Sequence, residues 1–247
     1  MYNPFSLEGK TILVTGASSG IGRSVAVECS KMGALLVITG RNAERLSATF
    51  AMLEGGGHLQ IPADLTNESE LEQLAEKTPV LQGVVHSAGI NKRLPVKFIN
   101  SGAFDELMQT NLYAPVSLSR LLLKKKKIEK KASLVFISSI ASFSADMGNA
   151  MYSASKGALN SFAKVMALEL APQQIRVNCI QPGVVKTNIL LSGDISQEQL
   201  AEEEKRYPLG RFGQPEDIAF ATVYLLSNAA SWTTGAAMTI DGGITLK

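Results

Sequence analysis

The stretch Thr15-Gly16-Ala17-Ser18-Ser19-Gly20-Ile21-Gly22 decides the interpretation of this sequence. It follows a short apolar, β-branched run at residues 11–15 and precedes an amphipathic run at residues 21–32. Its glycines let the chain turn tightly and let an anion approach backbone N–H groups at a helix N-terminus. The spacing is Gly-x-x-x-Gly-x-Gly rather than Gly-x-Gly-x-x-Gly. In the first strand-to-helix turn it predicts dinucleotide binding, with an ordinary glycine turn as the alternative.

Strand-like and helix-like stretches alternate along the whole chain. Several strands are nearly continuous apolar runs, such as Leu35-Leu36-Val37-Ile38, which is typical of strands buried on both faces. Strands are predicted at residues 11–15, 35–40, 58–62, 83–87, 134–138, 176–181 and 237–241. Helices are predicted at residues 21–32, 43–53, 69–77, 104–126, 151–170 and 216–227. This alternation predicts one α/β domain over residues 1–247, a Rossmann-type doubly wound parallel sheet of about seven strands with helices on both faces.

Composition excludes several classes of protein. The 24 Lys and Arg against 22 Asp and Glu give a net charge of +2, too balanced for a general nucleic-acid binder. No apolar run approaches the roughly 20 residues of a membrane span. The only two cysteines, Cys29 and Cys179, favour a reducing, cytoplasmic location. His58 and His86 have no Cys or His neighbour at ligand spacing, so no metal site is predicted.

The end of the second predicted strand bears on cofactor choice. Thr39-Gly40-Arg41-Asn42 contains no acidic residue to accept hydrogen bonds from the adenosine ribose of NAD. Arg41 is a candidate partner for the 2′-phosphate of NADP, with an exposed Arg at a helix start as the alternative. Asp64, after the third strand, is predicted either to face the adenine or to cap the next turn. The pattern favours NADP(H) over NAD(H).

Tyr152 and Lys156 lie four residues apart, on one face of a predicted helix. A nearby ammonium favours the phenolate, and a bound oxidised nicotinamide would add a second positive charge. Together they are expected to lower the pKa of Tyr152 toward working pH, where general acid–base catalysis is most effective. Ser139 follows a predicted strand, at the sheet edge where ligands bind, and neighbouring Ser138 competes for its role. A surface Tyr and Lys at accidental spacing is the alternative.

From about Leu7 to Gly243 the chain resembles the short-chain dehydrogenase/reductase family. The resemblance rests on Thr-Gly-x-x-x-Gly-x-Gly, Tyr-x-x-x-Lys, and the order of the segments between and after them. It implies a catalytic tetrad of Ser139, Tyr152, Lys156 and Asn111. It implies a cofactor site formed by Gly16, Ser18, Ser19, Gly20, Ile21, Gly22, Arg41, Asp64, Leu65, Ala88, Gly89, Tyr152, Lys156, Pro182, Gly183, Val185 and Thr187.

The resemblance implies hydride transfer between a nicotinamide and a ketone or secondary alcohol. Tyr152 would then exchange the proton, Ser139 would hold the oxygen, Lys156 would contact the nicotinamide ribose, and Asn111 would hold a relay water. One segment departs from the family: His86-Ser87-Ala88-Gly89 replaces Asn-Asn-Ala-Gly. His86 is expected to brace the sheet rather than to catalyse.

Residues 208–219 and the ending Asp241-Gly242-Gly243 resemble 3-oxoacyl-[acyl-carrier-protein] reductases. A 3-oxoacyl thioester, with an acyl carrier protein as partner, is therefore one candidate substrate. Reduction of a different ketone, such as a sugar, a steroid or a small metabolite, is the alternative. A non-catalytic dinucleotide-binding protein is less favoured because the tetrad is kept. The lysine run between Lys124 and Lys131 is interpreted as a solvated helix end or a docking patch.

Two further expectations concern the larger assembly. Residues 183–213, which include a predicted helix at residues 196–206, are expected to form a mobile lid over the substrate. A homotetramer is expected mainly from the family. The helices at residues 104–126 and 151–170 support it, because apolar residues such as Phe162, Val165, Met166 and Leu170 surround much of the second helix.

Overall fold

The computed structural model describes residues 2–187 and 197–246, which contain one seven-stranded sheet with all neighbouring strands parallel. The strand order is β3-β2-β1-β4-β5-β6-β7. The strands are β1 (Thr11–Thr15), β2 (Leu35–Thr39), β3 (Leu59–Gln60), β4 (Leu81–His86), β5 (Ile128–Ile137), β6 (Arg176–Pro182) and β7 (Ala237–Ile240). The predicted doubly wound α/β fold is confirmed.

Helices cover both faces of the sheet. They are α1 (Gly20–Lys31), α2 (Ala43–Phe50), α3 (Glu68–Lys77), α4 (Ser101–Met108), α5 (Ala114–Lys124), α6 (Ala150–Leu170), α7 (Gln197–Lys205) and α8 (Pro215–Leu226). Side chains alternate along each strand, so Leu13 joins a core with α3, α5 and α6, whereas Ile12 and Val14 join a core with α1, α2 and α8. This two-sided burial explains the continuous apolar runs.

The strand order reverses at β1, which pairs with β2 on one side and β4 on the other. At such a switch point, the loops leaving the two strands diverge to opposite faces and open a crevice at the carboxyl edge. The loops after β1, β4, β5 and β6 all reach this edge. It is therefore where the predicted site residues are brought together.

The predicted helix at residues 104–126 is interrupted. A π-helical turn, Gln109–Tyr113, separates α4 from α5 and contains the buried Asn111. Such turns occur frequently at functional sites. Periodicity alone did not predict the interruption, since the apolar pattern continues across it.

Strand β5 begins six residues earlier than the predicted start at residue 134. Its register against β4 shifts between Leu81 and Gly83, and Lys131 takes a left-handed backbone conformation with φ 67°. The lysine run therefore ends α5 at Lys124 and continues into the amino-terminal half of a strand. Exposed lysines carry no strand signal, which is why this half was missed.

The predicted lid falls partly outside the described residues, because residues 188–196 are not among them. The two ends of the segment are tied together: Gly213 N donates to Val184 O at 2.9 Å and Lys186 N donates to Gly213 O at 2.9 Å. Lys186 also forms a 2.6 Å ion pair with Glu204. The lid function of residues 183–213 stays a prediction.

Candidate active site

The glycine loop after β1 needs glycine because other backbone approaches it closely. Gly16 has φ 66°, and a Cβ at this position would lie 2.8 Å from Cα of Ala88. A Cβ on Gly22 would collide with the carbonyl oxygen of Gly16. The loop thus packs directly on the end of β4, and its N–H groups and the start of α1 form a cradle for an anion.

Two side chains outside the motif hold this loop in shape. Arg23 Nη2 donates to Ser18 O at 2.7 Å, and Arg23 Nε donates to Thr49 Oγ1 at 3.0 Å. Thr49 Oγ1 in turn donates to Ala17 O at 2.9 Å and is fully buried. Sequence reasoning missed both residues, because Thr49 reads as an ordinary residue of an amphipathic helix.

The end of β4 is fastened to the end of β1. Thr15 Oγ1 accepts hydrogen bonds from Ser87 N at 3.1 Å and from Ala88 N at 3.2 Å. At the next residue, a Cβ on Gly89 would lie 3.3 Å from Asn111 Oδ1 and 3.6 Å from Lys156 Nζ. The residues predicted to pass near the nicotinamide ribose are thus beside two of the predicted catalytic groups.

Asn111 clamps the backbone of Ile90. Its Oδ1 accepts from Ile90 N at 2.8 Å, and its Nδ2 donates to Ile90 O at 2.9 Å and to Ser155 Oγ at 3.2 Å. These bonds tie the π-helical turn between α4 and α5 to the loop after β4 and to α6, and they engage both amide hydrogens of Asn111. A relay water of the kind implied by the resemblance would need other atoms of Asn111.

Ser139, Tyr152 and Lys156 meet at the carboxyl edge of β5. The Ser139 side chain faces the Tyr152 phenol and acts to lower its pKa, whereas Ser138 Oγ donates to Lys156 O at 3.4 Å. The Lys156 Nζ lies 5.6 Å from the Tyr152 ring centroid. Of the two adjacent serines, it is Ser139 that faces Tyr152.

The pKa of Tyr152 differs from the sequence expectation. Burial raises it above its usual value, and the hydrogen bond with Ser139 opposes that rise. The Lys156 Nζ donates to Ile137 O at 2.9 Å. Burial also lowers the pKa of Lys156 to about 8. In the protein alone, Tyr152 therefore holds its proton firmly.

His86 braces the sheet, as expected. Its Nε2 lies 3.0 Å from Ser119 Oγ, and Ser119 donates to Pro115 O at 2.8 Å, which assigns the donor role to the imidazole. The ring stacks on Phe136 with centroids 4.6 Å apart. Burial lowers the pKa of His86 to about 3, so the ring is neutral at physiological pH.

The predicted adenosine end is formed by β2 and the loop after β3. A Cβ on Gly40 would lie 3.2 Å from Ser18 Oγ, so this strand end borders the glycine loop, and the adjacent Arg41 is exposed. Asp64 Oδ1 accepts from Thr66 N at 2.9 Å and from Thr66 Oγ1 at 2.7 Å, which is the turn-capping role. These bonds, with a smaller contribution from Arg41, lower the pKa of Asp64.

The segment after β6 reaches across to the glycine loop. A Cβ on Gly20 would lie 3.1 Å from Thr187 Cγ2, and Gly183 N donates to Ile240 O at 3.0 Å. Val185 is buried against the core beneath α1 and α8. Of the other predicted cofactor residues, Ile21 borders that core and Leu65 borders the opposite one.

Two kinds of feature are absent from residues 2–187 and 197–246. In that part of the chain no helix is long and apolar enough to cross a membrane. Nor does it group three or more His, Cys, Asp or Glu side chains in a way that would hold a metal ion.

The chain is similar in sequence and in structure to known proteins. The family model described as Enoyl-(Acyl carrier protein) reductase matches residues 16–245. The chain is 34% identical over 238 residues to the 3-oxoacyl-[acyl-carrier-protein] reductase of Rickettsia prowazekii (strain Madrid E), covering 96% of this chain and 98% of that protein.

Solved structures agree. A dehydrogenase/reductase from Sinorhizobium meliloti 1021 gives a TM-score of 0.90 at 32% identity, covering 98% of this chain and 97% of that one. A structure from Beutenbergia cavernae, provisionally described as an NAD(P) dependent gluconate 5-dehydrogenase and holding NADP at low occupancy, gives 0.89 at 33% identity, covering 99% and 100%. The expected family is confirmed: the chain belongs to the short-chain dehydrogenase/reductase family, whose members are enzymes acting on CH–OH and C=O groups.

Proposed function

We propose that this protein interconverts a ketone and a secondary alcohol with NADP(H) as the hydride carrier. The observation that carries the proposal is the grouping of Ser139, Tyr152 and Lys156 at the same sheet edge as the glycine loop, with Lys156 Nζ 5.6 Å from the Tyr152 ring centroid. An acid–base group and an oxygen-binding hydroxyl thus lie together where ligands bind in a parallel sheet.

The residues at this edge fit a dinucleotide. Gly16 and Gly22 let the loop turn where a Cβ would collide with backbone, and the first turn of α1 would present N–H groups to a pyrophosphate. Gly89 likewise lets the chain pass close to Asn111 and Lys156. When bound, the nicotinamide supplies or accepts the hydride.

The chain's own residues handle the proton and the substrate oxygen. Tyr152, whose pKa is raised by burial, keeps its proton at neutral pH and donates it to the oxygen during reduction. Ser139 donates a hydrogen bond to the same oxygen. Lys156 would hold the nicotinamide ribose, and its ammonium, 5.6 Å from the Tyr152 ring centroid, would favour the phenolate that forms. Asn111 fixes the backbone of Ile90, next to Gly89, where the resemblance expects the ribose.

Arg41 supports the choice of NADP(H). It is exposed at the end of β2, directly after the residue that borders Ser18, and is free to meet a 2′-phosphate with a charge-assisted hydrogen bond. Asp64 is already engaged by Thr66, so its carboxylate serves the turn more than the adenine. The NADP bound to the Beutenbergia cavernae structure agrees with this choice.

A 3-oxoacyl thioester is one member of the proposed substrate class, supported by the named activity of the Rickettsia prowazekii relative. The lysine run does not support a carrier protein that delivers it. It lies at the amino-terminal end of β5, and the length of that strand separates it from Ser139 by about 30 Å. A docking carrier would need another surface near the carboxyl edge.

The experiment is a turnover assay with NADPH and NADH on ketones, 3-oxoacyl thioesters and a 2-enoyl thioester. Reduction of a C=O substrate that Tyr152→Phe abolishes supports the proposal. Reduction of the enoyl substrate alone, or cofactor binding without any turnover, contradicts it.

We also propose that the protein is a homotetramer and that it works in a reducing, cytoplasmic compartment. The two buried free cysteines support the reducing compartment.

A further inference from the structure

A cleft of about 660 Å³ opens between the loop after β4 and the loop after β5. Three large apolar side chains at this cleft are exposed: Val96, Phe143 and Met147, with 73%, 57% and 92% of their surfaces accessible. Large apolar side chains grouped in a concave, exposed site are a recognised mark of ligand binding.

The cleft lies beside the proposed reaction centre. Ala141 lies in its wall two residues after Ser139, and Ser153 lies in it directly after Tyr152. Leu94, from the loop on the other side of the cleft, and Tyr152 pack against the same small apolar cluster. The cleft is therefore next to the position where a ketone oxygen would meet Ser139 and Tyr152.

The two loops that form the cleft are tied to each other. Leu94 N donates to Gly148 O at 2.9 Å, and Arg93 forms an ion pair with Asp146. Gly148 has φ 79°, a conformation that favours glycine. The wall is thus formed before any substrate arrives, which lowers the ordering cost of binding.

The cations near the mouth are engaged within the protein. Arg93 pairs with Asp146, Lys92 lies 3.6 Å from Glu106, and Lys97 lies 4.9 Å from the ring centroid of Phe98. Asp146 lines the cleft with its carboxylate offset by Arg93, so this ion pair offers an anionic substrate no unpaired cation. The chemistry of the site disfavours a sugar acid and favours an uncharged, apolar group.

Resting on the proposed function, we infer that Val96, Phe143 and Met147 determine specificity by receiving the apolar arm of an uncharged ketone. Burying a methylene contributes up to about fourfold in affinity. The methyl ketones 2-butanone, 2-hexanone and 2-octanone lengthen that arm by two carbons at a time. We expect kcat/KM to rise at least about tenfold from the first to the last.

Two variant pairs test the residues. Val96→Asp and Met147→Glu place a carboxylate in the cleft and should flatten the series. Val80→Asp and Met52→Glu make the same changes at other exposed positions and should keep it. A flat series in the wild type, or equal effects from the cleft and control variants, overturns the inference.

A binding measurement separates this inference from the proposed function. Calorimetric titration of Tyr152→Phe with 2-octanone should show binding that Val96→Asp weakens and Val80→Asp does not. If the wild type turns over no ketone while Tyr152→Phe shows this binding pattern, the result supports the cleft and contradicts the proposed function. Preferred turnover of 5-keto-gluconate or dihydroxyacetone supports the proposed function and overturns the cleft. The absence of both binding and turnover overturns the inference and the proposed function together.

Discussion

Lys156 of α6 donates a 2.9 Å hydrogen bond from Nζ to the carbonyl oxygen of Ile137, the last residue of β5. The contact joins the helix that carries Tyr152 to the strand that precedes Ser139. It also keeps an ammonium almost entirely buried, with 4% of the residue accessible. The pKa of Lys156 falls to about 8 because burial disfavours the charged form.

The burial of this charge should make the free energy of unfolding depend on pH. In the unfolded chain Lys156 keeps its ordinary pKa of 10.5, so between about pH 8 and 10.5 the unfolded state binds more protons than the folded state. The free energy of unfolding contributed by Lys156 therefore rises with pH through that window, by about 3 kcal/mol in total. We expect Lys156→Met to lack this rise.

Urea unfolding of wild type and Lys156→Met at pH 7, 8, 9 and 10 measures the difference. Other titrating groups largely cancel, since both proteins share them. Lys164→Met, an exposed position on the same helix, serves as the control and should follow the wild type. A difference between wild type and Lys156→Met that is constant over this range would contradict the lowered pKa.

Tyr152→Phe tests the proton donor. The hydroxyl supplies the proton and its loss removes general acid catalysis, so kcat should fall by about 10²–10⁴-fold. The ring stays, and NADPH affinity should remain nearly unchanged in a fluorescence titration. Tyr113→Phe removes an exposed hydroxyl in the π-helical turn and should retain full turnover. Near-normal turnover by Tyr152→Phe would exclude the assignment.

The parts of the site that the sequence predicted share one property: their signal is local. Gly16 and Gly22 are adjacent to the strand and helix that they join, and Tyr152 and Lys156 share one helix. Their chemistry follows from spacing along a single element, and the sheet topology then brings the elements together.

The contacts that sequence reasoning missed cross between elements. Thr49 meets Arg23 across 26 residues, and His86 meets Ser119 across 33. Nothing local distinguishes Arg23, Thr49 or Ser119 from ordinary helix positions. The rise in the pKa of Tyr152 in the protein alone has a similar origin, because it comes from burial by the surrounding elements, which the spacing of Tyr152 and Lys156 does not reveal.

Arg41→Ala tests cofactor preference. A charge-assisted contact to the 2′-phosphate is worth about 1.5–3 kcal/mol, or roughly tenfold to a hundredfold in preference for NADPH. We expect the variant to lose that factor in kcat/KM for NADPH with little change for NADH. Arg45→Ala removes an exposed Arg one turn further along and should keep the preference. Equal use of both cofactors by the wild type would refute the role of Arg41.

The expected tetramer requires two separate interfaces. Leu168 on α6 is 77% accessible and Phe220 on α8 is 58% accessible, and these helices cover opposite faces of the sheet. Met166 and Leu170, which the sequence suggested for an interface, are instead buried in the protomer core, and Phe162 packs against it. The exposed residues are therefore better candidates.

Light scattering measures the consequence. The wild type should have the mass of four chains, whereas Leu168→Glu or Phe220→Glu alone should give dimers and the double variant monomers. Met52→Glu, a control at a third exposed position, should stay tetrameric. A monomeric wild type at micromolar concentration would contradict the prediction.

The buried imidazole of His86 should lower the stability of the folded protein in acid. The folded state keeps the imidazole neutral down to about pH 3, whereas in the unfolded chain it takes up a proton below its ordinary pKa of 6.5. The unfolded state therefore gains protons first, and stability falls as pH drops below 6.5. Between pH 6.5 and 4.5 this contribution amounts to roughly 2–3 kcal/mol.

His86→Asn removes this contribution, and His58→Asn is the control because His58 lies elsewhere, beside Phe50. Urea unfolding at pH 6.5, 5.5 and 4.5 should show a shallower loss for His86→Asn than for either the wild type or His58→Asn. Parallel losses in all three proteins would mean that His86 is protonated in the folded state, and that its contact with Ser119 does not require the neutral ring.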